Sequence, residues 1–140
     1  MAPWIFTDKI SNNETIKVFN HGKSQRDFTY VDDIVDGVIS SLFVNTGQPE
    51  LINLGNGNPV VLADFVRIVE ENVGRKAQIA EMGMQKGDVP ATYADITKAR
   101  RLLGYNPQTS IEVGIKRFVE WFRAHDASKY RMSPITAGAS

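Results

Sequence analysis

The alternation of apolar and polar positions along the chain predicts a mixed α/β fold. Apolar residues recur at three- to four-residue spacing in segments that predict helices; these segments cover residues 2–10, 32–43, 62–73, 95–104 and 109–122. Short apolar runs predict strands over residues 16–19 and 51–54, and a weaker pattern predicts another over residues 77–81. The elements together predict a small layer of three or four short strands covered by four or five helices. The pattern leaves the order of the strands open.

The other elements are arranged around the stretch from Arg26 to Ile34. It reads Arg-Asp-Phe-Thr-Tyr-Val-Asp-Asp-Ile and changes from a two-residue period to a helical one, so we expect a strand that turns directly into a helix. Asp32 or Asp33 is placed to cap this helix by accepting its free N–H groups. The apolar positions of the helix fall on one stripe, formed by Ile34, Val35, Val38, Ile39, Leu42 and Phe43.

Other helix ends carry recognisable capping residues. Gly74 and Gly104 are placed to close the third and fourth helices, and Asp95 is placed to open the fourth. The run Thr-Ser-Ile-Glu at residues 109–112 has the form of a capping box for the last helix.

The chain begins inside an apolar helix without a polar lead-in, which suggests a segment cut from a longer protein. Trp4, Ile5 and Phe6 are expected to form an apolar patch through which the 140-residue chain self-associates. Residues 1–125 form the expected domain. Residues 126–140 turn small and polar, which predicts a disordered tail.

Composition and charge narrow the class of function. The 16 Lys and Arg residues balance the 16 Asp and Glu residues, so we expect no nucleic-acid or membrane partner, and a phosphate ligand has to be held locally. No cysteine is present and the two histidines lie far apart, so no metal site is expected. The chain has no run of membrane-spanning length and no signal-peptide pattern. We therefore expect a soluble, cytoplasmic protein.

The glycine-rich loop at residues 55–59 is a candidate cofactor site. It follows a predicted strand and precedes a helix, as a dinucleotide-binding loop does. However, Val60 stands where the third glycine belongs, and Pro59 lacks the N–H that a pyrophosphate would need. We therefore expect a tight turn and no cofactor-binding residue here.

Arg26 and Asp88 are candidates for ligand binding. A guanidinium at the end of a strand could clamp a phosphate, or Arg26 could be a surface residue paired with Asp27 or Asp32. Asp88 lies between Gly87 and a Val-Pro pair, where its carboxylate could accept hydrogen bonds from a sugar diol or cap a turn. The residues by themselves leave both choices open.

The 140 residues contain no complete catalytic apparatus. Each of the four tyrosines is followed four positions later by a residue other than lysine, so a Tyr-x-x-x-Lys pair is absent. The chain also lacks the Gly-x-Ser-x-Gly, His-Glu-x-x-His and Gly-x-x-x-x-Gly-Lys-Ser/Thr motifs. No residue is therefore assigned a catalytic role.

Three segments taken together resemble one family. They are Arg-Asp-Phe-Thr-Tyr-Val-Asp-Asp-Ile at residues 26–34, Asn-Leu-Gly-Asn at residues 53–56 and Gly-Asp-Val-Pro-Ala-Thr-Tyr-Ala-Asp at residues 87–95. In this order and spacing they resemble the C-terminal part of the extended short-chain dehydrogenases that act on nucleotide sugars, and most of all the NAD-dependent UDP-glucuronate 4-epimerases. The resemblance implies that this chain is the substrate lobe of a Rossmann-type α/β enzyme.

The same resemblance implies substrate-binding roles for five residues. Phe19 would lie along the uracil, Arg26 would bind the pyrophosphate and Asp88 would hold the ribose hydroxyls. Gln85 stands where many relatives carry a second phosphate-binding arginine, and the lysine after it replaces part of that charge. Thr92 matches a position near the hexose, where a small residue leaves room for the sugar.

The resemblance further implies that NAD and the catalytic Tyr-x-x-x-Lys pair belong to an N-terminal domain that this chain lacks. The full-length enzyme would be a homodimer that epimerises a UDP-sugar, and this chain alone would be inactive. Two alternatives stay open. One is a UDP-glucuronate decarboxylase or sugar-nucleotide dehydratase of the same superfamily, and the other is a non-catalytic nucleotide-binding or interaction module.

Overall fold

The computed structural model describes residues 2–125 of the chain. Helices and short strands alternate along this range, which confirms the predicted α/β class. In chain order the elements are α1 (Ala2–Ser11), β1 (Thr15–Val18), a 3₁₀ turn (Phe19–Gly22), β2 (Gln25–Arg26), α2 (Val31–Ser41), β3 (Val60–Val61), α3 (Leu62–Val73), β4 (Gln78–Glu81), β5 (Ala91–Thr92), α4 (Thr97–Leu103) and α5 (Ile111–Ala124). Within the same range, no helix has the length and apolar character needed to cross a membrane. The tail predicted at residues 126–140 lies outside the described residues.

The strands form two small sheets. β1 and β4 pair in parallel, with Thr15 opposite Gln78, which confirms the strand predicted over residues 77–81. β2 lies between β3, to which it is antiparallel, and β5, to which it is parallel. The sequence pattern does not predict β3 or β5, because two residues are too few to show a period.

The main core lies between α1, α3 and α5, together with β1. Phe65 of α3 is fully buried in it, with its ring stacked on Phe28 at a centroid distance of 4.4 Å and lying 5.9 Å from the ring of Phe6. Such ring pairs add about 0.5–1.5 kcal/mol to the stabilisation that burial provides. α3 matches its predicted range and ends at Gly74, whose left-handed φ of 75° glycine adopts without strain. Phe28 thus ties the stretch 26–34 to the core.

A second, smaller apolar cluster lies between α2 and α4. Ile96, Ala99 and Tyr105 are its buried members, and Leu54 packs against them. A Cβ atom at Gly37 of α2 would lie only 2.7 Å from Leu54 and 2.9 Å from Tyr105. Glycine at this position therefore allows α2 to approach the cluster closely.

Two predicted strands are corrected by the structure. Residues 51–54 form no strand, and within residues 2–125 no backbone–backbone hydrogen bond joins them to another segment. Their apolar pattern marks an extended segment, but a strand also needs a pairing partner. The strand expected at the start of the stretch 26–34 is limited to β2, because Asp27 binds neighbouring loops through its side chain instead of through a sheet ladder.

The predicted cap of α2 is also corrected. Neither Asp32 nor Asp33 caps this helix, whose first turn has no side-chain cap. Asp33 is buried and accepts hydrogen bonds from the backbone N–H groups of Gln108 and Thr109, at 3.0 and 3.1 Å. Its carboxylate therefore joins α2 to the segment that leads into α5.

The predicted C-terminal end of α4 is confirmed, and the predicted starts of α4 and α5 are wrong in detail. Gly104 closes α4 with a left-handed φ of 65°, but the N-cap residue is Ile96, which gives no side-chain cap. Asp95, the predicted cap, lies one residue earlier and accepts the N–H of Thr97 at 2.9 Å. Ser110 is the capping residue of α5, and its hydroxyl accepts an N–H from the first turn. The capping box predicted at residues 109–112 does not form in the expected register, because the helix begins one residue later than that pattern requires.

The apolar stripe of α2 faces away from the core of this chain. The buried positions of α2 are Asp33 and Gly37, on the opposite side of the helix. Leu42 and Phe43, just after the helix, are 76% and 84% exposed. The rest of the stripe is exposed as well, apart from the half-buried Ile34; these residues are Val35, Val38 and Ile39. The helical period therefore identifies the helix but not the side on which it packs.

The apolar patch predicted at the N-terminus is wrong. Phe6 is buried, and Trp4 packs edge-on against Phe122 of α5 with ring centroids 5.0 Å apart. Ile5 is the member of this group that stays substantially exposed. The apolar start of α1 is thus used inside the chain, where it joins α1 to α5.

Phe65→Ala is expected to lower the free energy of unfolding by about 3–5 kcal/mol, because it opens a cavity at a fully buried site and removes two ring contacts. Phe43→Ala is the matched control, since it removes the same ring from an exposed position and should cost less than about 0.5 kcal/mol. Urea denaturation followed by circular dichroism measures both changes. Equal losses would contradict this location of the core.

Candidate functional site

The carboxylate of Asp27 joins three segments of the chain. It accepts hydrogen bonds from the backbone N–H groups of Asn56 at 3.2 Å, Gly57 at 3.0 Å and Ala94 at 3.0 Å. Hydrogen bonds to an ionised acceptor are about twice as strong as those between neutral groups. Asp27 therefore fixes the 55–59 loop and the segment after β5 beside the end of β2.

The 55–59 loop does not fit a dinucleotide cofactor. The N–H groups of Asn56 and Gly57, which a pyrophosphate would need, are bound to Asp27, so a phosphate here would face a carboxylate. A Cβ atom at Gly55 would lie 2.8 Å from an Asp27 oxygen and 2.5 Å from the Cβ of Ala94. The glycine thus serves close packing, in agreement with the predicted tight turn.

Arg26, at the end of β2, forms an ion pair with Asp88 in the loop before β5. Its Nη2 atom donates to Oδ1 of Asp88, and its Nη1 atom donates to the carbonyl of Gln25 at 2.7 Å. The two side chains are 28% and 32% exposed, so a ligand can reach both. Pairing of Arg26 with Asp27 or Asp32 is wrong, because Asp27 faces the glycine loop and Asp32 lies beside an arginine of α5.

Thr92 is connected to this ion pair through strand pairing, and Gln85 is connected to it through a turn. Thr92 is the register partner of Arg26 in the parallel pairing of β2 with β5. The carbonyl of Gln85 accepts the N–H of Asp88 at 3.0 Å, which closes a turn through Gly87, whose φ is 85°. The structure therefore brings four of the five predicted binding residues to the paired strands β2 and β5 and the adjoining turn.

Phe19 approaches from the other sheet. β1 ends one residue earlier than predicted, and Phe19 opens the 3₁₀ turn. In that turn Asn20 and His21 have φ values of 50° and 49°, a left-handed conformation that is strained for residues other than glycine. Their N–H groups donate to the carbonyls of Gly83 and Met82, at 3.3 and 3.2 Å. These bonds hold Phe19 beside the segment that leads from β4 into the loop of Gln85 and Asp88.

Sequence reasoning missed the roles of Asp27 and Asp33. Both carboxylates accept backbone N–H groups that lie about 30 to 76 residues away in the sequence. Because every non-proline residue carries an N–H, such bonds leave no residue pattern to find. The turn of Phe19 had a partial signal, since Asn-His-Gly predicts a turn but not its left-handed residues.

An open cleft of about 520 Å³ lies beside Thr92. Polar groups on its wall come from Asp27, Thr29, Asn53 and Tyr93. A second cleft of about 560 Å³ lies between the 55–59 loop, α3 and the start of α5, and it contains none of the predicted binding residues. The cleft at Thr92 is the one considered below, because Thr92 is the register partner of Arg26.

Tyr105 supports the glycine loop from within the second apolar cluster. It is buried, and its hydroxyl donates to the carbonyl of Gly55 at 2.9 Å. Burial raises the pKa of the Tyr105 phenol above its ordinary value of 10.0, and the carboxylates of Asp33, Asp27 and Asp36 raise it further. The phenol therefore keeps its proton and its hydrogen bond into the alkaline range.

Comparison with known proteins gives consistent matches. Residues 5–118 match the family model described as GDP-mannose 4,6 dehydratase. The UDP-glucuronate 4-epimerase of Thermodesulfobacterium geofontis is 43% identical over 122 residues, which cover 84% of this chain and 35% of that protein. The structure of UDP-glucuronic acid 4-epimerase from Bacillus cereus, in complex with UDP-glucuronic acid and NAD, aligns with a TM-score of 0.82 at 27% identity, covering 89% of this chain and 40% of that chain. UDP-glucose 4-epimerase from Thermotoga maritima, with UDP-glucose, aligns with a TM-score of 0.81 at 31% identity and the same coverage.

The fold and these matches define the class of protein as the extended short-chain dehydrogenases that act on nucleotide sugars. Within that class, the chain belongs to the family whose model is described as GDP-mannose 4,6 dehydratase. The resemblance found in the sequence is thereby confirmed. The chain spans between about a third and two-fifths of the length of the relatives it matches.

Asp27→Ala is expected to lower the free energy of unfolding by at least about 2 kcal/mol, because three N–H groups lose one charged acceptor. Asp27→Asn keeps one acceptor oxygen and should cost less. Asp64→Ala is the control, since its exposed carboxylate lies 3.9 Å from Arg67 and should contribute below about 0.5 kcal/mol. Guanidinium denaturation compares the three variants. If Asp27→Ala costs no more than Asp64→Ala, Asp27 does not organise the site.

The raised pKa of Tyr105 predicts a loss of stability at alkaline pH. The contribution of this group is complete below the unfolded pKa of about 10 and disappears as the pH rises through the folded pKa. Tyr105→Phe should therefore weaken the alkaline pH dependence, and should cost about 0.5–1.5 kcal/mol at neutral pH through the lost hydrogen bond. Denaturation of both proteins from about pH 8 to pH 11 tests this. Tyr93→Phe, at an exposed position, should behave like the wild type.

Proposed function

We propose that this chain is the UDP-binding lobe, formed by residues 1–125, of an NAD-dependent nucleotide-sugar 4-epimerase whose substrate is UDP-glucuronate. The Arg26–Asp88 pair beside the register partner Thr92 carries this proposal. The names of the relatives support the substrate class, since several of them are UDP-glucuronate 4-epimerases.

Arg26 is suited to binding the pyrophosphate. Its guanidinium presents several donors in one plane, which matches phosphate oxygens better than the single ammonium of a lysine. The bond from Nη1 to the carbonyl of Gln25 orients the side chain before a ligand arrives. Gln85 and Lys86 lie in the turn that ends at Asp88 and supply further donors to the same region.

Asp88 is suited to accepting the ribose hydroxyls. Arg26 and the N–H of Val89 both bond its Oδ1 atom, which among the described residues leaves Oδ2 for a sugar diol. Phe19, held by the 3₁₀ turn beside the segment that leads to Gln85 and Asp88, offers an aromatic face to the uracil. The open cleft at Thr92 then receives the hexose, because the small threonine side chain leaves space there.

The reaction of 4-epimerases explains why this chain would bind the nucleotide while another part of the enzyme would bind NAD. The sugar has to turn over between the two halves of the reaction, so binding energy is best placed on the nucleotide and the phosphates. NAD would accept and return a hydride at C4, but the described residues offer it no binding loop. We therefore assign NAD to another part of the full-length enzyme, which we expect to be a homodimer, and expect this chain alone to be inactive.

A dehydratase is the second candidate. The family model that matches residues 5–118 carries the description GDP-mannose 4,6 dehydratase, and a nucleotide anchor of this kind would serve that reaction equally well. Analysis of the products made from UDP-glucuronate and from GDP-mannose by a full-length enzyme containing this chain separates the candidates. An epimerase converts UDP-glucuronate to UDP-galacturonate, whereas a 4,6-dehydratase needs the C6 hydroxyl of a neutral hexose and releases water from GDP-mannose.

Arg26→Ala is expected to weaken UDP binding by about 1.5–3 kcal/mol, the range for a hydrogen bond to a charged group. Calorimetric titration of the 140-residue chain with UDP measures this change. Arg101→Ala is the matched control, because it removes the same charge from an exposed position on α4, and its affinity should stay within about twofold of the wild type. No UDP binding by the wild type, or equal losses in both variants, would contradict a preformed anchor.

Asp88→Asn separates the two parts of the ligand. The variant loses a ribose acceptor but also removes a negative charge beside Arg26. UDP should therefore bind more weakly, whereas inorganic pyrophosphate should bind as well as before or more tightly. The same calorimetry with the two ligands checks this. A parallel loss for both would mean that Asp88 orients Arg26 and does not contact the ribose.

A further inference from the structure

The 3₁₀ turn that begins at Phe19 has two consecutive left-handed residues. Asn20 and His21 have φ values of 50° and 49°, and residues of this kind persist only where neighbouring groups hold them in place. Their N–H groups donate to Gly83 and Met82 at 3.3 and 3.2 Å, which is long for bonds whose usual range is about 2.7–3.2 Å. The turn therefore depends on its side chains as well as on its backbone bonds.

Two residues fasten the turn to β2 and to α3. The side-chain amide of Asn20 donates to the hydroxyl of Ser24 at 3.3 Å, and Ser24 is buried just before β2. On the other side, a Cβ atom at Gly22 would lie only 3.2 Å from the Cβ of Ala63 on α3. Neither of these contacts holds the turn to β4.

His21 supplies a side-chain contact to β4. Its Nδ1 atom lies 3.1 Å from Oε2 of Glu81, the last residue of that strand. An ionised carboxylate accepts hydrogen bonds and donates none, so Nδ1 carries the proton of this bond. Glu81 directly precedes Met82 and Gly83, whose carbonyls accept the N–H groups of the turn. The side-chain contact therefore reinforces the junction that the long backbone bonds make.

The other charged residues beside His21 are already paired. A cleft of about 170 Å³ adjoins His21 and is lined by residues of α3 and β4. Two further charged residues line this cleft, and each has its own ion-pair partner; the pairs are Arg67 with Glu71 at 2.8 Å and Glu70 with Lys76 at 2.7 Å. Glu81 is thus the carboxylate that holds the imidazole of His21.

We propose that His21 is a positioning residue for the nucleotide base. Through Glu81 it holds the turn in its left-handed form, and the turn sets the direction in which Phe19, its first residue, presents its ring. This inference rests on the proposed function, in which Phe19 lies along the uracil. His21 acts through Phe19 and does not contact the ligand itself.

Calorimetric titration of the 140-residue chain with UDP and with inorganic pyrophosphate tests this role. Glu81→Ala removes the partner of His21 without changing a left-handed residue. It should weaken UDP binding about three- to fivefold, because the two side chains are 57% and 69% exposed and such pairs contribute modestly. Pyrophosphate has no base, so its affinity should stay within about 1.5-fold of the wild type.

Three further variants separate the side-chain contact from other effects. His21→Asn keeps a residue that tolerates the left-handed backbone but is too short to reach Glu81, so it should match Glu81→Ala, and the double variant should lose no more than either alone. Glu81→Gln keeps an acceptor oxygen and should retain most of the UDP affinity. Glu120→Ala, at an exposed position on α5, is the matched control and should bind UDP like the wild type.

Hydrogen exchange adds a measurement that needs no ligand. The amides of Asn20 and His21 should exchange faster in Glu81→Ala than in the wild type, while the amides of α3 keep their protection, which a general folding defect would remove.

Unchanged exchange at the amides of Asn20 and His21 overturns the inference. UDP binding that Glu81→Ala leaves intact, or an equal loss for UDP and pyrophosphate, does so as well while leaving the proposed function standing. Absence of UDP binding by the wild type overturns the proposed function and, with it, the role of His21.

Discussion

The hydrogen bonds that converge on the carboxylate of Asp27 are the interaction on which the candidate site depends. Asp27 follows directly after Arg26, and successive side chains of an extended segment point to opposite sides. One side chain can therefore bind the glycine loop and the segment at Ala94 while the other reaches Asp88. β2 has already ended at this point, so no sheet hydrogen bonds hold the neighbouring segments. The hydrogen bonds of the Asp27 carboxylate instead fix the glycine loop and the segment at Ala94 beside the end of β2.

The stretch 26–34 uses almost every residue to join a different part of the chain. Phe28 stacks in the main core, and Asp33 binds the segment before α5. Tyr30, between them, lies under the guanidinium of Arg117 with 5.2 Å between its ring centroid and the cation. These contacts connect the core, α2 and α5 through one short segment, so the position of Arg26 is set by the packing of the whole lobe.

The sequence predicted the elements whose partners are local. Helix α3 has its predicted bounds and its glycine cap because a helix makes its own hydrogen bonds and shows its buried side as a period. The pairing of segment 51–54 and the packing side of α2 could not be predicted from the pattern, because both depend on residues far away in the sequence. The proposed binding residues come from family motifs, whereas Asp27 acts on backbone groups that carry no side-chain signal.

The groups proposed to bind the nucleotide and those proposed to position the sugar differ in how they are held. Arg26 is oriented by Gln25 and Asp88, both within the described residues. The cleft at Thr92 is bounded by segment 51–54, whose backbone has no sheet partner among the described residues. A firmly held group for the phosphates beside a less constrained wall for the sugar suits the proposed reaction, in which the sugar has to be released and turned while the nucleotide stays bound.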